Sequence, residues 1–164
     1  MEDGRDETDK ERLDRNLNEM LGGLRVIMPG VQVLFAFLLV VPFNQRFTSI
    51  TGFERGVYFV TLIATGVATA LLIAPGAIHR IEFRADDKHW IVFTGNKLVV
   101  LGFGALGVAV TSAVLFVTHF AYSDGLSIAA TVLVGSLIVG LWYVLPLSRR
   151  RGVVKPPEGR RNDA

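Results

Sequence analysis

The sequence contains no cysteine, and this absence excludes several kinds of chemistry together. Disulfides, thiolate nucleophiles and cysteine metal ligands are all ruled out. The sequence also lacks a Walker phosphate-binding loop, a zinc-protease histidine pair, a GxSxG nucleophile elbow and the residues of a potassium filter. Its histidines are widely spaced and do not form a metal-ligand set. We therefore expect no enzyme activity, no resident metal and no cofactor.

Charged residues are missing from four long stretches, which cover residues 26–43, 56–79, 98–122 and 126–148. An α-helix needs roughly 20 residues to cross the ~30 Å hydrocarbon core of a bilayer. The last three stretches reach that length, and the first does so if Arg25 extends to the headgroups. The sequence therefore predicts an all-α, polytopic membrane protein, an antiparallel bundle of four transmembrane helices over residues 25–148.

Lysine and arginine residues near the membrane predict its orientation. Of the 17 basic residues, only Arg46 and Arg55 lie between the first and second stretches, and none lies between the third and fourth. We therefore expect both termini on the cytoplasmic side of a bacterial plasma membrane, with residues 1–24 as a cytoplasmic segment. Residues 149–164 are expected to be a basic, mostly disordered tail that attracts anionic lipid headgroups at the inner face. We expect no nucleic-acid partner, because no recognition module accompanies this tail.

The N-terminal segment is predicted to form an amphipathic helix. Its large apolar residues recur at intervals of three and four and form one narrow stripe: Leu13, Leu17, Met20, Leu21 and Leu24. This stripe has three candidate contacts, namely the membrane surface, the central cytoplasmic loop and another subunit. In the span that follows, Pro29 predicts a kink, because proline removes a helix hydrogen bond.

Small residues recur at four-residue intervals within the predicted spans. The second span carries Thr61, Thr65 and Thr69, and the third carries alanines at the same spacing. Such stripes favour close packing between helices, and a subunit interface or a pore lining is the alternative. The run GFGALG at residues 102–107 matches a dinucleotide-binding fingerprint, but it lies inside an apolar span rather than after a strand. We therefore interpret its glycines as close helix contacts.

Gln32 is the one strongly polar residue well inside the first span. Its side chain is expected to form a hydrogen bond between helices, with a substrate contact as the alternative. The four stretches contain no carboxylate or lysine near the midplane, and such groups are what ion-coupled transporters use. The sequence therefore argues against a proton or sodium antiporter within one chain.

A polar collar is predicted where the second span leaves the inner leaflet. Its members are ionisable residues that follow the apolar run: His79, Arg80, Glu82, Arg84, Asp86 and Asp87. Its basic residues are expected to hold this helix end in the cytosol. The collar also offers a binding site for a lipid phosphate or an acidic partner.

Three segments carry a resemblance to a known family: LRVIMPGVQVLFAFLL, APGAIHR and WYVLPL. They resemble a family of uncharacterised bacterial integral membrane proteins that is found mainly in actinobacteria and designated a domain of unknown function. The resemblance implies four transmembrane helices and a plasma-membrane location. It marks six motif positions without giving any of them a role: Arg25, Pro29, Gln32, Phe43, His79 and Arg80. Some relatives are labelled sodium/proton antiporters, a function for which this chain lacks the midplane carboxylate.

Three functions follow as hypotheses. The first is a non-enzymatic accessory or interaction module that forms a homo-oligomer or binds another membrane protein. The second is a small transporter or channel, built as an oligomer, in which Gln32 and the threonines line a wet cavity. The third is an integral-membrane enzyme, for which His79, Glu82, Asp86 and His89 are the candidates.

Overall fold

The computed structural model describes residues 9–82 and 88–152, and these residues form helices joined by short connections. The helices are α1 (Asp9–Val40), α2 (Gly52–Ile81), α3 (Lys88–Ala121), α4 (Asp124–Val139) and α5 (Leu145–Gly152). Two 3₁₀ turns, Val41–Phe43 and Gln45–Ser49, join α1 to α2, and a π-helical turn, Gly140–Val144, runs from α4 into α5. Four of the resulting helices are long and apolar enough to cross a membrane. The predicted all-α arrangement of four membrane-length helices is confirmed.

Some of the sequence predictions fall outside the described residues. These are the structure of residues 1–8, the collar members Arg84, Asp86 and Asp87, and the tail beyond residue 152.

The contact between α2 and α3 is the most extensive in the fold. Ala68 of α2 and Ala109 of α3 are fully buried, and Gly102 of α3 lies directly against Leu71 and Leu72 of α2. A methyl group at Gly102 would lie 2.8 Å from Cδ2 of Leu72, so the backbone there reaches the leucine without any side chain between them. Small residues thus allow the two helices to approach closely, as the stripes predicted.

Helix α1 packs against both α2 and α3. Its buried residues are seven apart: Leu17, Leu24, Val31 and Leu38. A seven-residue period keeps one seam of a helix facing its neighbours along its whole length. The 32 residues of α1 extend about 48 Å, so the helix is longer than the ~30 Å hydrocarbon core of a bilayer.

The predicted N-terminal amphipathic helix and the first span are a single helix. Helix α1 runs from residue 9 through Pro29 without a break. The amphipathic stripe packs onto its own chain, where Met20 covers Gly95 of α3 and Leu24 joins the hydrophobic core. Two residues of the stripe, Met20 and Leu24, therefore pack within the chain, against the first part of α3 and the hydrophobic core.

Helix α4 contacts α3 alone among the long helices that the structure describes. Gly107 of α3 lies against Ile138, and Gly135 of α4 lies against Thr111. At the π-helical turn, Pro146 has no N–H for the carbonyl of Trp142, and the N–H of Leu145 bonds to Gly140 instead. Helix α4 therefore packs beside α3, and most of its own surface is exposed.

Each long helix runs antiparallel to the one before it, so the fold has two ends, which we call the distal end and the termini end. The distal end holds the two 3₁₀ turns, the start of α2, the end of α3 and the start of α4. The termini end holds the start of α1, the end of α2, the start of α3 and α5.

We predict that Gly102→Ala lowers the free energy of unfolding by about 1–3 kcal/mol, because the added methyl overpacks the α2–α3 contact against the buried Leu72. Gly66→Ala is the matched control, since nothing lies within 4 Å of a Cβ at that position of α2. The control should be neutral or stabilising by up to about 1 kcal/mol, because alanine favours the helix. Denaturation in detergent micelles measures both changes, and equal values for the two variants would contradict the assigned contact.

Candidate functional site

A polar cluster at the distal end begins with the first turn of α2. Thr51 precedes the helix and its hydroxyl accepts the backbone N–H of Glu54 at 3.2 Å. In return, Oε2 of Glu54 accepts the backbone N–H of Thr51 at 2.7 Å and its hydroxyl at 2.9 Å. This reciprocal capping box fixes the Glu54 carboxylate, and its second oxygen remains available.

His119, near the end of α3, lies between two carboxylates. Its Nδ1 is 3.4 Å from Oε1 of Glu54, and its Nε2 is 3.5 Å from Oδ1 of Asp124 at the start of α4. The ring of Phe53 lies against the imidazole with the ring centroids 5.2 Å apart. Glu54, His119 and Asp124 therefore form a contact, which we call the distal clasp, between α2, α3 and α4.

The two halves of the distal clasp differ in strength. Glu54 is buried, whereas 85% of the Asp124 side chain is exposed. An exposed ion pair contributes little because water and salt screen it, so the Glu54 contact dominates. The carboxylates also lie at opposite nitrogens of one ring and cannot converge on a single metal ion, and the described residues contain no group of three or more metal-ligating side chains.

In the distal clasp one imidazole faces two carboxylates. A neutral imidazole carries one N–H and can donate to only one of the carboxylates, whereas a protonated imidazole donates from both nitrogens. Through its two ring nitrogens His119 joins the distal ends of the three helices.

The predicted threonine stripe is part of the packed interior. Thr61 and Thr65 are completely buried, and Thr69 is partly buried. Each hydroxyl donates 2.8 Å to the backbone carbonyl four residues earlier in α2. The threonines therefore line no wet path within one chain, which favours the packing interpretation.

Gln32 lies on the outside of the fold. It is exposed, as are the other motif positions of α1, Arg25 and Pro29. The buried seam of α1 passes through the adjacent Val31, which turns the amide away from α2 and α3. The expected hydrogen bond between helices is not made to any residue that the structure describes.

The inner polar collar is only partly described. Arg80 is exposed, and His79 and Glu82 are half-buried at the end of α2, where the backbone N–H of Glu82 bonds to Ile78. His89 stacks on Phe93 one turn later in α3, with the ring centroids 4.3 Å apart. Asp86 lies outside the described residues, so the structure leaves the predicted catalytic set incomplete.

Comparison with known proteins places the chain in a family. A family of unknown function, DUF6328, matches residues 6–146, which include three of the four membrane-length helices completely and most of the fourth. The chain belongs to this family. No curated protein and no solved structure matches it. The resemblance found in the sequence is thus confirmed as far as membership of a family of unknown function.

Sequence reasoning did not identify the distal clasp. Two signals were present. Thr51 and Glu54 have the T-x-x-E spacing of a capping box. The antiparallel order of the helices also brings the start of α2, the end of α3 and the start of α4 to one end of the fold. These three segments carry Glu54, His119 and Asp124.

We predict that removal of the imidazole loosens the distal ends of α2 and α4, because His119 contacts both Glu54 and Asp124. The absence of cysteine allows spin labels to be placed at Arg55→Cys and Ser123→Cys without further changes. The distance distribution between the labels should be broader in His119→Leu than in the parent chain.

The comparison for this measurement is Asp124→Asn, which should broaden the label distance less than Glu54→Gln, since the Asp124 contact is largely exposed. If His119→Leu leaves the distance distribution unchanged, the distal clasp does not hold these helix ends together.

Proposed function

We propose that this DUF6328 protein is a non-enzymatic interaction module of the membrane that associates with itself through the outer face of α1. The observation that carries the proposal is the exposed amide of Gln32. Gln32 lies seven residues after Arg25, about 10 Å along the helix and well inside the hydrocarbon region. An amide exposed to lipid tails without a hydrogen bond is unfavourable, so this position favours a partner helix.

The surface around Gln32 suits a close helix contact. Pro29 and Ala36 lie on the same side of α1, at intervals that place them next to Gln32, and both are exposed. Their side chains are small, so a second helix can approach the backbone there. Small residues flanking one polar side chain are the usual composition of a helix contact in membranes.

The partner that fits this surface best is a second copy of the chain. Copies inserted in the same orientation are related by a two-fold axis along the membrane normal, so their Gln32 residues lie at the same depth. An amide both donates and accepts hydrogen bonds. Two Gln32 side chains can therefore satisfy each other, which a purely apolar partner cannot do.

The polar groups inside the fold support a role without catalysis. The carboxylate of Glu54 caps α2, and the hydroxyls of Thr61 and Thr65 bond to their own helix. Tyr143 donates to the carbonyl of Val100 at 3.2 Å and so joins the end of the fourth span to α3. The Tyr143 contact connects two helices, and the other bonds are made within α2 and its cap. Transport would require a hydrated path between copies.

We predict that Gln32→Leu raises the dissociation constant of the homo-oligomer by about three- to ten-fold, the effect of one hydrogen bond between membrane helices. Energy transfer between labelled copies, measured while the protein is diluted into liposomes, reports this constant. Gln45→Leu is the matched control, because it removes the same amide group from an exposed 3₁₀ turn that is not part of the outer face of α1. Unchanged association of the Gln32→Leu protein would exclude the proposed contact, and ion flux that depends on Gln32 would favour the channel alternative.

We also propose that the protein is a multi-pass plasma-membrane protein of a bacterium, with the termini end in the cytoplasm. The proposal rests on the basic residues, nearly all of which belong to the termini end. Arg25, Arg80 and Arg149 are exposed there, where anionic headgroups of the inner leaflet are their expected partners. Nucleic acid is not among the proposed partners.

The orientation predicts which single cysteines react from outside. Ser123→Cys lies between α3 and α4 at the distal end, and Ser148→Cys lies in α5 at the termini end. A membrane-impermeant maleimide should label Ser123→Cys in intact cells and Ser148→Cys only after permeabilisation. The opposite pattern would place both termini outside the cytoplasm.

A further inference from the structure

The distal end contains a cavity of about 720 Å³ between the end of α1, the two 3₁₀ turns and the end of α3. Five phenylalanines line most of its wall: Phe37, Phe43, Phe47, Phe116 and Phe120. Its volume lies within the range of cavities that enclose small molecules. A wall of this composition accepts an apolar group and excludes a sugar or a nucleotide.

Ring contacts with Tyr58 support two of the phenylalanines in the cavity wall. Tyr58 of α2 contacts Phe47 edge-on, with the centroids 5.1 Å apart, and lies 5.8 Å from Phe116. The hydroxyl of Tyr58 donates 2.9 Å to the carbonyl of Leu38 and so ties α2 to α1. Because this hydroxyl already has its partner, the rings of Phe47 and Phe116 that Tyr58 supports present only carbon atoms to the cavity.

The rim of the cavity is polar and positively charged. Asn44 accepts the backbone N–H of Arg46 at 3.0 Å, which fixes the turn that carries the arginine. Arg46 is exposed and forms no ion pair with a described carboxylate. Glu54 and Asp124, the acidic residues of the distal clasp, face His119 instead. The guanidinium is therefore available for an anion at the mouth of an apolar cavity.

We propose that this cavity binds an anionic phospholipid from the leaflet at the distal end. An acyl chain would lie along the phenylalanines, and the headgroup phosphate would accept hydrogen bonds from Arg46. Arginine suits this role because its planar guanidinium can bond two phosphate oxygens at once. The amide of Asn44 lies beside it and offers further donors.

The occupant is a lipid rather than a second copy of the chain. The self-association face of α1 is centred on Gln32, whereas the cavity is lined by Phe37. Phe37 lies about 140° around the axis from Gln32, so this part of the cavity faces away from Gln32. Val40, which also lines the cavity, lies one turn after Ala36 and borders the self-association face. Phe37 and Phe43 are also strongly exposed, which gives a chain in the bilayer direct access to the cavity.

The test compares lipid retention by native mass spectrometry after reconstitution in equal amounts of phosphatidylglycerol and phosphatidylcholine. The parent chain should retain phosphatidylglycerol in preference to phosphatidylcholine. Arg46→Gln should reduce that preference by about ten-fold, the effect of one charge-assisted hydrogen bond. Arg55→Gln is the matched control, because it removes an exposed positive charge from the same end without touching the cavity, and it should keep the preference.

A second variant tests the apolar part of the cavity. Val41→Trp places a large ring inside it and should lower retention of both lipids. Val67→Trp adds the same ring to an exposed position of α2 away from the cavity and should not. Equal losses of preference in Arg46→Gln and Arg55→Gln would reduce the effect to general surface charge and overturn the proposal. Cross-linking of Val41→Cys to a second chain at the same residue would overturn it as well, by assigning the cavity to a protein partner.

Discussion

The close approach of α2 and α3 is the contact on which the other contacts of this structure depend. Lipid tails are as apolar as leucine, so the hydrophobic effect does not bring these helices together inside a membrane. What remains is dispersion between surfaces that fit, and at Gly102 the fit is a backbone against the side chain of Leu72. The buried threonines of α2 contribute to this packing because their hydroxyls bond to carbonyls of the same helix, so no polar group needs a partner across the contact.

The other two long helices use the α2–α3 pair in different ways. Helix α1 packs against both helices of the pair. Its buried residues recur at intervals of seven and are Leu17, Leu24, Val31 and Leu38. Helix α4 touches α3 alone, and the distal clasp at His119 adds a contact to α2 only through one side chain. The fold is therefore better buried on the side where α1 packs against two helices than on the side where α4 packs against one. Both α1 and α4 thus present long surfaces to lipid or to a partner.

The sequence predicted the number and course of the helices well, because length without charge is a strong signal for a membrane span. It also predicted that the run GFGALG would pack against neighbouring helices, and Gly102, Gly104 and Gly107 all do so. The direction in which Gln32 points was not predicted. In a soluble helix the apolar side identifies the core, but here lipid and core are both apolar and the pattern carries no such information. The cavity at the distal end was not predicted either. It is formed by residues of α1, the two 3₁₀ turns and α3, which are far apart in the sequence and meet only through the packing of the helices.

Polar groups in this fold separate into those that have partners and those that face outward without one. Glu54 is satisfied by Thr51, Tyr58 by Leu38 and Tyr143 by Val100, and each of these bonds connects or caps helices. Within the part of the chain that the structure describes, Gln32 and Arg46 have no side-chain partner, although one lies in the apolar span and the other at the mouth of an apolar cavity. An amide that is exposed to lipid needs another amide or carbonyl, whereas a cation at the headgroup level needs an anion. The chemistry of the missing partner therefore differs at the two positions, which is why a second chain is assigned to Gln32 and an anionic lipid to Arg46.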